Sequence, residues 1–202
     1  MISSIVRWVV KIFFANQKPR PKEEDIAISK MLRVLQKFEG NEYTPYVPPA
    51  GNSGVTVGIG VDLGHMNFAH ILQSNTLGEK IKPYYGKFRE EAKAALEANP
   101  LVLTKEEIDY ISLLAINYHL KLLKDWYNEA SFVPFGSLTD NQKCVMLSVK
   151  YQYGNIKIRT PKFWEFCVSR DWYGAYNELM NFGDDYPTRR RREAAMLAQD
   201  FK

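Results

Sequence analysis

Ser53-Gly54-Val55-Thr56-Val57-Gly58-Ile59-Gly60-Val61-Asp62-Leu63-Gly64 is the stretch that most narrows what this chain can become. Its β-branched residues and spaced glycines predict a strand over Val55–Val61, with glycines where the backbone must be approached closely. Upstream, Ile26, Ile28, Met31, Leu32, Leu35 and Phe38 recur at helical spacing, which predicts an amphipathic helix over Glu23–Phe38. Glu39-Gly40 is its natural stop, because glycine is the commonest residue just past a helix end. Tyr43–Val47 reads as a short strand closed by Pro48-Pro49, and Ala50–Gly54 as a turn. A helix end bearing one carboxylate, Glu39, is thereby set against a small antiparallel sheet. That sheet bears a hydroxyl, Thr56, and a second carboxylate, Asp62.

From Asn67 onward the pattern is helical. Helices are expected over Phe68–Gln73 and Phe88–Ala98. Another begins at Thr104, with Glu107 in the capping-box position, and runs to about Leu123. Leu138-Thr139-Asp140 opens an apolar helix ending near Gly154, and Phe163–Val168, Trp172–Met180 and Pro187–Phe201 complete the series. No internal repeat or low-complexity segment interrupts it.

At 202 residues, 46% hydrophobic and 25% charged, the chain has the composition of a globular domain able to bury a core. A net charge of +4 favours acidic polymers without choosing among them. The densest basic run, Arg189–Arg192, lies inside a helical pattern, so two of its members are expected to pair with acidic neighbours. The two cysteines, Cys144 and Cys167, fall in apolar helical segments and read as buried free thiols. His65, His70 and His119 are scattered, and no metal-ligand spacing occurs. Neither a metal nor an organic cofactor is expected, and nucleic acid is not an expected partner.

Met1–Ala15 is a short amphipathic helix in the sequence pattern, with Ile2, Ile5, Val6, Val9, Ile12 and Phe13 on one face. It is too short and too charged for a membrane span, and no signal peptide is evident. Three readings stand: docking on the protein's own body, a delivery or partner handle, or a membrane-surface helix. Gln17–Glu24 reads as a polar linker. The expected division is an N-terminal helix and linker over residues 1–22 and a single domain over residues 23–202.

A carboxylic acid at a helix end, a hydroxyl and a second carboxylate supply the parts for cutting a glycosidic bond. One acid protonates the leaving oxygen, and the second group handles the anomeric carbon or its attacking water. The bland alternatives are a solvated helix-end charge for Glu39, a strand former for Thr56 and a turn or cap residue for Asp62. Glu42, Asp184 and Asp185 are rival carboxylates ranked below Asp62.

Glu39 followed by Thr56-Val57-Gly58-Ile59-Gly60 resembles the catalytic signature of the phage-type lysozymes. The likeness continues through Leu103–Glu107, Ser137–Cys144 with Tyr151-Gln152-Tyr153-Gly154, Asp171-Trp172, and Tyr186–Arg191, and so covers about Ile26 to the end. One departure matters. Where the phage enzymes carry an Asp soon after the first strand, this chain has Pro48 and an extra loop. The pattern Tyr-Val-Pro…Ser-Gly-Val-Thr-x-Gly-x-Gly-x-Asp-x-Gly is closer to the pesticin-like branch, bacterial toxins with a phage-lysozyme catalytic domain.

The resemblance implies an α+β, lysozyme-like fold with a small antiparallel sheet lobe and a larger helical lobe. It implies an inverting muramidase cleaving the β-1,4 bond between N-acetylmuramic acid and N-acetylglucosamine. Glu39 would be the general acid, Asp62 the base or electrostatic partner and Thr56 the water-positioning hydroxyl. Gln152, Arg189, Tyr46 and Gly58 complete the implied substrate-binding set. Inversion would set the Glu39 and Asp62 carboxyls about 6.5–9.5 Å apart. The setting implied is an antibacterial toxin or secreted effector, made in the bacterial cytoplasm and acting in the periplasm or on the cell wall. Its partners would be peptidoglycan glycan strands, an immunity protein occupying the cleft, and a delivery or secretion partner bound through residues 1–15. The alternatives are a phage or prophage endolysin and a non-catalytic peptidoglycan-binding module.

Overall fold

A computed structural model describes residues 30, 31, 33, 34, 42–49, 51–65 and 76–201. The expected helix over Met1–Ala15, the linker, the expected helix over Phe68–Gln73 and Glu39 all lie outside the described residues. Residues 30, 31, 33 and 34 are helical, within the expected span of Glu23–Phe38. The described residues fall into two compact units. Residues 42–116 form one; the helical residues between 30 and 34 join 117–201 in the other.

The first unit holds a three-stranded antiparallel sheet of β1 (Glu42–Tyr46), β2 (Thr56–Gly58) and β3 (Val61–Asp62), in that order. The expected single strand over Val55–Val61 is two strands instead, turning at Ile59-Gly60. Pro45 sits in β1, the edge strand, where a missing N–H leaves no gap in the ladder on the open side. Val57 pairs with Val61, and both are buried with Val55, Ile59 and Leu63. Helix α1 (Thr76–Ile81), which the sequence pattern did not predict, and α2 (Arg89–Ala98) follow. Ile81, Tyr84, Ala92, Ile108 and Ile111 complete this core.

Helix α3 (Lys105–Ala130) is 26 residues long, seven past its expected end, because no Gly or Pro interrupts it. Its start is the expected capping box: Glu107 N–H donates to Thr104 Oγ1 at 3.2 Å, and Thr104 N–H to Glu107 Oε2 at 2.8 Å. The boundary between the two units falls within it, at Ile116/Asn117.

The second unit is helical: α4 (Asp140–Tyr153), the short α5 (Ile156–Arg159), α6 (Pro161–Ser169), α7 (Trp172–Met180) and α8 (Pro187–Ala198). A second capping box, Thr139 with Gln142, starts α4. Cys144, Val145, Met146, Leu147 and Val149 are buried around nearly the whole circumference of α4, the mark of a central helix. Helix α8 packs on α4 and α7, and α6 on α7. Cys144 and Cys167 are buried free thiols, as the apolar pattern around them predicts. Among the described residues no helix is long and apolar enough to cross a membrane.

Candidate active site

The sheet sets three of the singled-out residues in one cross-strand row. Tyr46 on β1 opposes Thr56 on β2, and Thr56 opposes Asp62 on β3. Directly opposed residues of an antiparallel pair project to the same face, so the phenol, the hydroxyl and the carboxylate are neighbours. Tyr46 is 38% exposed and Thr56 only 4%, so the row runs from an open edge into the sheet.

The carboxylate of Asp62 is held on several sides. Gly54 N–H donates to both its oxygens, at 3.0 and 3.1 Å, and Gly64 N–H donates to Oδ1 at 2.8 Å. His65 Nδ1 lies 2.9 Å from Oδ2. Gly54 and Gly64 are glycines for a steric reason. A Cβ on Gly54 would lie 2.5 Å from Lys87 O and 2.8 Å from Asp62 Oδ1, and one on Gly64 2.6 Å from Lys87 O. The chain therefore closes around the carboxylate in a way that side chains at those two positions would prevent. The Thr56 hydroxyl donates to Gly54 O at 3.2 Å, which leaves its oxygen lone pairs as acceptors. A hydroxyl and an oriented carboxylate on one face can position a water molecule between them.

His65 is the residue that the sequence reading passed over, since it set all three histidines aside as scattered. It sits in the 3₁₀ turn Leu63–His65, three positions beyond Asp62, and its ring packs on Phe88 with centroids 4.3 Å apart. The i, i+3 spacing of a carboxylate and an imidazole across a Leu-Gly turn was the available signal. Gly58, at the far end of β2, faces α3: a Cβ there would lie 2.3 Å from Ser112 Oγ. Its observed contact is packing.

Gln152 and Arg189 belong to the second unit, within a buried polar cluster. Arg190, 1% exposed, donates from Nε to Asp184 Oδ2 at 2.8 Å and from its terminal nitrogens to Glu193 and Gln152. Arg189 pairs through Nε with Glu193 Oε1 at 3.2 Å and donates from Nη2 to Ser148 O and Oγ, both at 3.0 Å. Ser148 Oγ donates to Glu193 at 2.5 Å. Two members of the arginine run thus bind acidic neighbours, as expected. Partial burial works to raise the Asp184 pKa, but hydrogen bonds from Tyr153, Arg190 and the Tyr186 N–H outweigh it and hold the group below its ordinary value. Burial and the bond to Asp184 push the Tyr153 phenol up to about 12. Among the described residues no three His, Cys, Asp or Glu side chains converge as metal ligands would.

Comparisons with known proteins bear on the family and the fold. Residues 30–173 match the family model Pesticin, described as "bacterial toxin homologue of phage lysozyme, C-term". Among solved structures, a P22 lysozyme variant aligns with a TM-score of 0.54 at 18% identity, covering 84% of this chain and 96% of that one. The muramidase domain of SpmX from Asticaccaulis excentricus aligns with a TM-score of 0.48 at 14% identity, covering 83% and 94%. No curated protein sequence gives a significant match. The family match spans well over half of the chain, and a small antiparallel sheet followed by a series of helices is the lysozyme-like fold. The chain belongs to the pesticin family of phage-lysozyme homologues.

Proposed function

We propose that this chain is an N-acetylmuramidase that hydrolyses the β-1,4 bond between N-acetylmuramic acid and N-acetylglucosamine in peptidoglycan. The observation that carries the reading is the Thr56–Asp62 row, a hydroxyl and an oriented carboxylate on adjacent strands of a pesticin-family chain. Glu39 enters by its position in the motif ahead of that sheet, as the acid that protonates the leaving oxygen. Thr56 and Asp62 hold the water that attacks the anomeric carbon from the opposite side, with inversion. Tyr46, next in the row, offers a half-exposed ring to a sugar. The motif, by its sequence positions alone, adds Gln152, Arg189 and Gly58 to the substrate-binding residues, Gly58 by its backbone.

The family description favours an antibacterial toxin or secreted effector over a lysis enzyme of a phage. A cleft-blocking immunity protein follows from such a role, and the apolar-periodic segment Met1–Ala15 serves as the enzyme's own delivery handle.

The deciding measurement is release of reducing sugar from purified sacculi by wild type, Glu39→Gln, Thr56→Val and Asp62→Asn. Wild-type release, with loss in Glu39→Gln, is expected. A wild type that releases nothing would remove the enzymatic reading and leave a wall-binding module in its place.

A further inference from the structure

One surface of the second unit is unlike the rest. Between α6 and α7 lies a groove of about 340 Å³, lined among others by Lys162, Asp171, Tyr173, Asn177, Glu178 and Asn181. None of these belongs to the catalytic motif or to the arginine cluster.

Tyr173 is 67% exposed, a large area for an aromatic ring to leave in water. It is nevertheless held in place. Its ring stacks on that of Tyr176 with centroids 6.2 Å apart and planes 19° apart, and Phe201 packs beside both, at 6.2 and 6.0 Å. A braced ring with an open face is a platform for something flat, and its electron-rich face attracts weakly positive C–H groups.

The polar lining points to the same kind of ligand. Lys162 is neutralised by Glu178 at 2.6 Å, and Asp171 caps α7 by accepting the Gly174 N–H at 2.7 Å. The groove therefore offers no spare cation to a phosphate or a polyanion. What remains is the second oxygen of the Asp171 carboxylate, an acceptor for hydroxyl groups, and two side-chain amides. Asn181 donates to the Asn177 backbone carbonyl at 3.0 Å, while the side-chain amide of Asn177 is exposed and forms no hydrogen bond within the described residues. One open aromatic face, the unengaged Asn177 amide and a neutralised ion pair in a concave site suit an uncharged ligand rich in hydroxyl and acetamido groups.

We propose that the α6–α7 groove is a second glycan-binding site, taking an N-acetylhexosamine unit of a polysaccharide strand, with Tyr173 stacked on the pyranose ring and Asn177 hydrogen-bonded to its substituents. The identity of the glycan rests on the muramidase reading; the chemical class rests on the groove itself. Such a site would hold the enzyme on an insoluble wall between cleavage events.

The test uses the full chain carrying Glu39→Gln, titrated with tetra-N-acetylchitotetraose and read by amide chemical shifts. The backbone amides of Gly174, Asn177 and Asn181, and the Asn177 side-chain amide, are expected to move together. Tyr173→Ala should weaken the affinity read from those shifts about 3- to 10-fold, the span of an aromatic contact. Tyr173→Phe should retain it. If Tyr173→Ala does not fold, Asn177→Ala gives the same reading. Unmoved α7 amides at saturating glycan, or an affinity unchanged by loss of the ring, would overturn the site. A wild type that binds at α7 but releases no reducing sugar from sacculi would end the muramidase reading and leave this one standing.

Discussion

Thr56 and Asp62 are opposed partners on β2 and β3, and Gly54 serves both of them. Its carbonyl accepts from the Thr56 hydroxyl, and its N–H donates to both Asp62 oxygens. The hydroxyl and the carboxylate are thus oriented by one peptide segment, so under the proposed function a change at either is felt as both chemistry and structure.

Asp62→Asn separates the two. The amide replaces one acceptor oxygen with a donor that faces the Gly54 or Gly64 N–H, at a cost in stability of about 1–3 kcal/mol. If Asp62 also activates water, hydrolysis at a temperature far below melting should fall by about 10²–10⁴. Melting curves and initial rates on soluble glycan strands, measured on the same preparation, give both numbers. A lowered melting temperature with an unchanged rate would reduce Asp62 to a clip for the turn.

Gly58→Ala should be among the most damaging single-methyl additions in the chain. Its φ of +60° disfavours any side chain, and the new Cβ would lie 2.3 Å from Ser112 Oγ and 3.1 Å from Ile108 Cγ2. Backbone handedness alone costs about 1–2 kcal/mol. The collision adds about 1–3 kcal/mol of overpacking. Ser112→Ala removes the nearest atom, so Gly58→Ala/Ser112→Ala should recover part of the loss and leave the handedness cost. Urea unfolding of the two singles and the double gives the coupling directly.

These positions also mark how far the sequence could be read. Helix starts were legible where side chains cap them: Thr104 with Glu107 was visible because a capping box is a local pattern. The hairpin inside Val55–Val61 was not. Strand propensity favours the whole run, and the turn rests on positive φ at Gly58 and Gly60, which glycine permits but does not require. Helix α1 escaped because it is six residues long with a glycine inside it. The Thr56–Asp62 pairing was legible only as a motif, since register is a property of the sheet. Gln152 was singled out by motif; that its carbonyl also accepts from Arg190 is a partnership between helices that no local spacing reveals.

Arg190→Met tests what that partnership contributes. The guanidinium joins Asp184, Glu193 and Gln152 and lies over the Phe182 ring at 4.7 Å. Removing it strands buried acceptors, a loss of about 3–5 kcal/mol. Glu193 keeps Arg189 and Ser148, which places the expectation near the lower end. Arg190→Lys should fall between, because one ammonium cannot span three acceptors in a plane. Denaturant midpoints rank the three proteins; a lysine variant equal to wild type would contradict the bridging role.

The second unit also contains a buried basic pair whose titration gives a signed prediction. Lys150 is 1% exposed, with its ammonium 2.8 Å from His119 Nδ1 and 5.0 Å from the centre of the Trp126 ring. Burial, and then the charge of Lys150, lower the His119 pKa to about 3, and burial lowers that of Lys150 to about 8. Both folded values lie below the unfolded ones, so in each window the unfolded chain binds more protons and stability rises with pH. For His119 the window runs from about 3 to 6.5: its contribution is complete above 6.5 and is lost as pH falls through 3. For Lys150 it runs from about 8 to 10.5, and below 8 both states are protonated and the burial cost is constant. Lys150→Met removes that cost and the repulsion on His119. It should therefore be more stable than wild type at neutral pH, by an amount on the order of 1–3 kcal/mol. Its advantage should shrink between pH 8 and 10.5, and its acid loss should be shallower. Unfolding free energies of both proteins from pH 3 to 10.5, with the His119 ring titrated by NMR, measure each part. A variant less stable than wild type across that range would show that the lysine's contacts with His119 and Trp126 outweigh the cost of burying its charge.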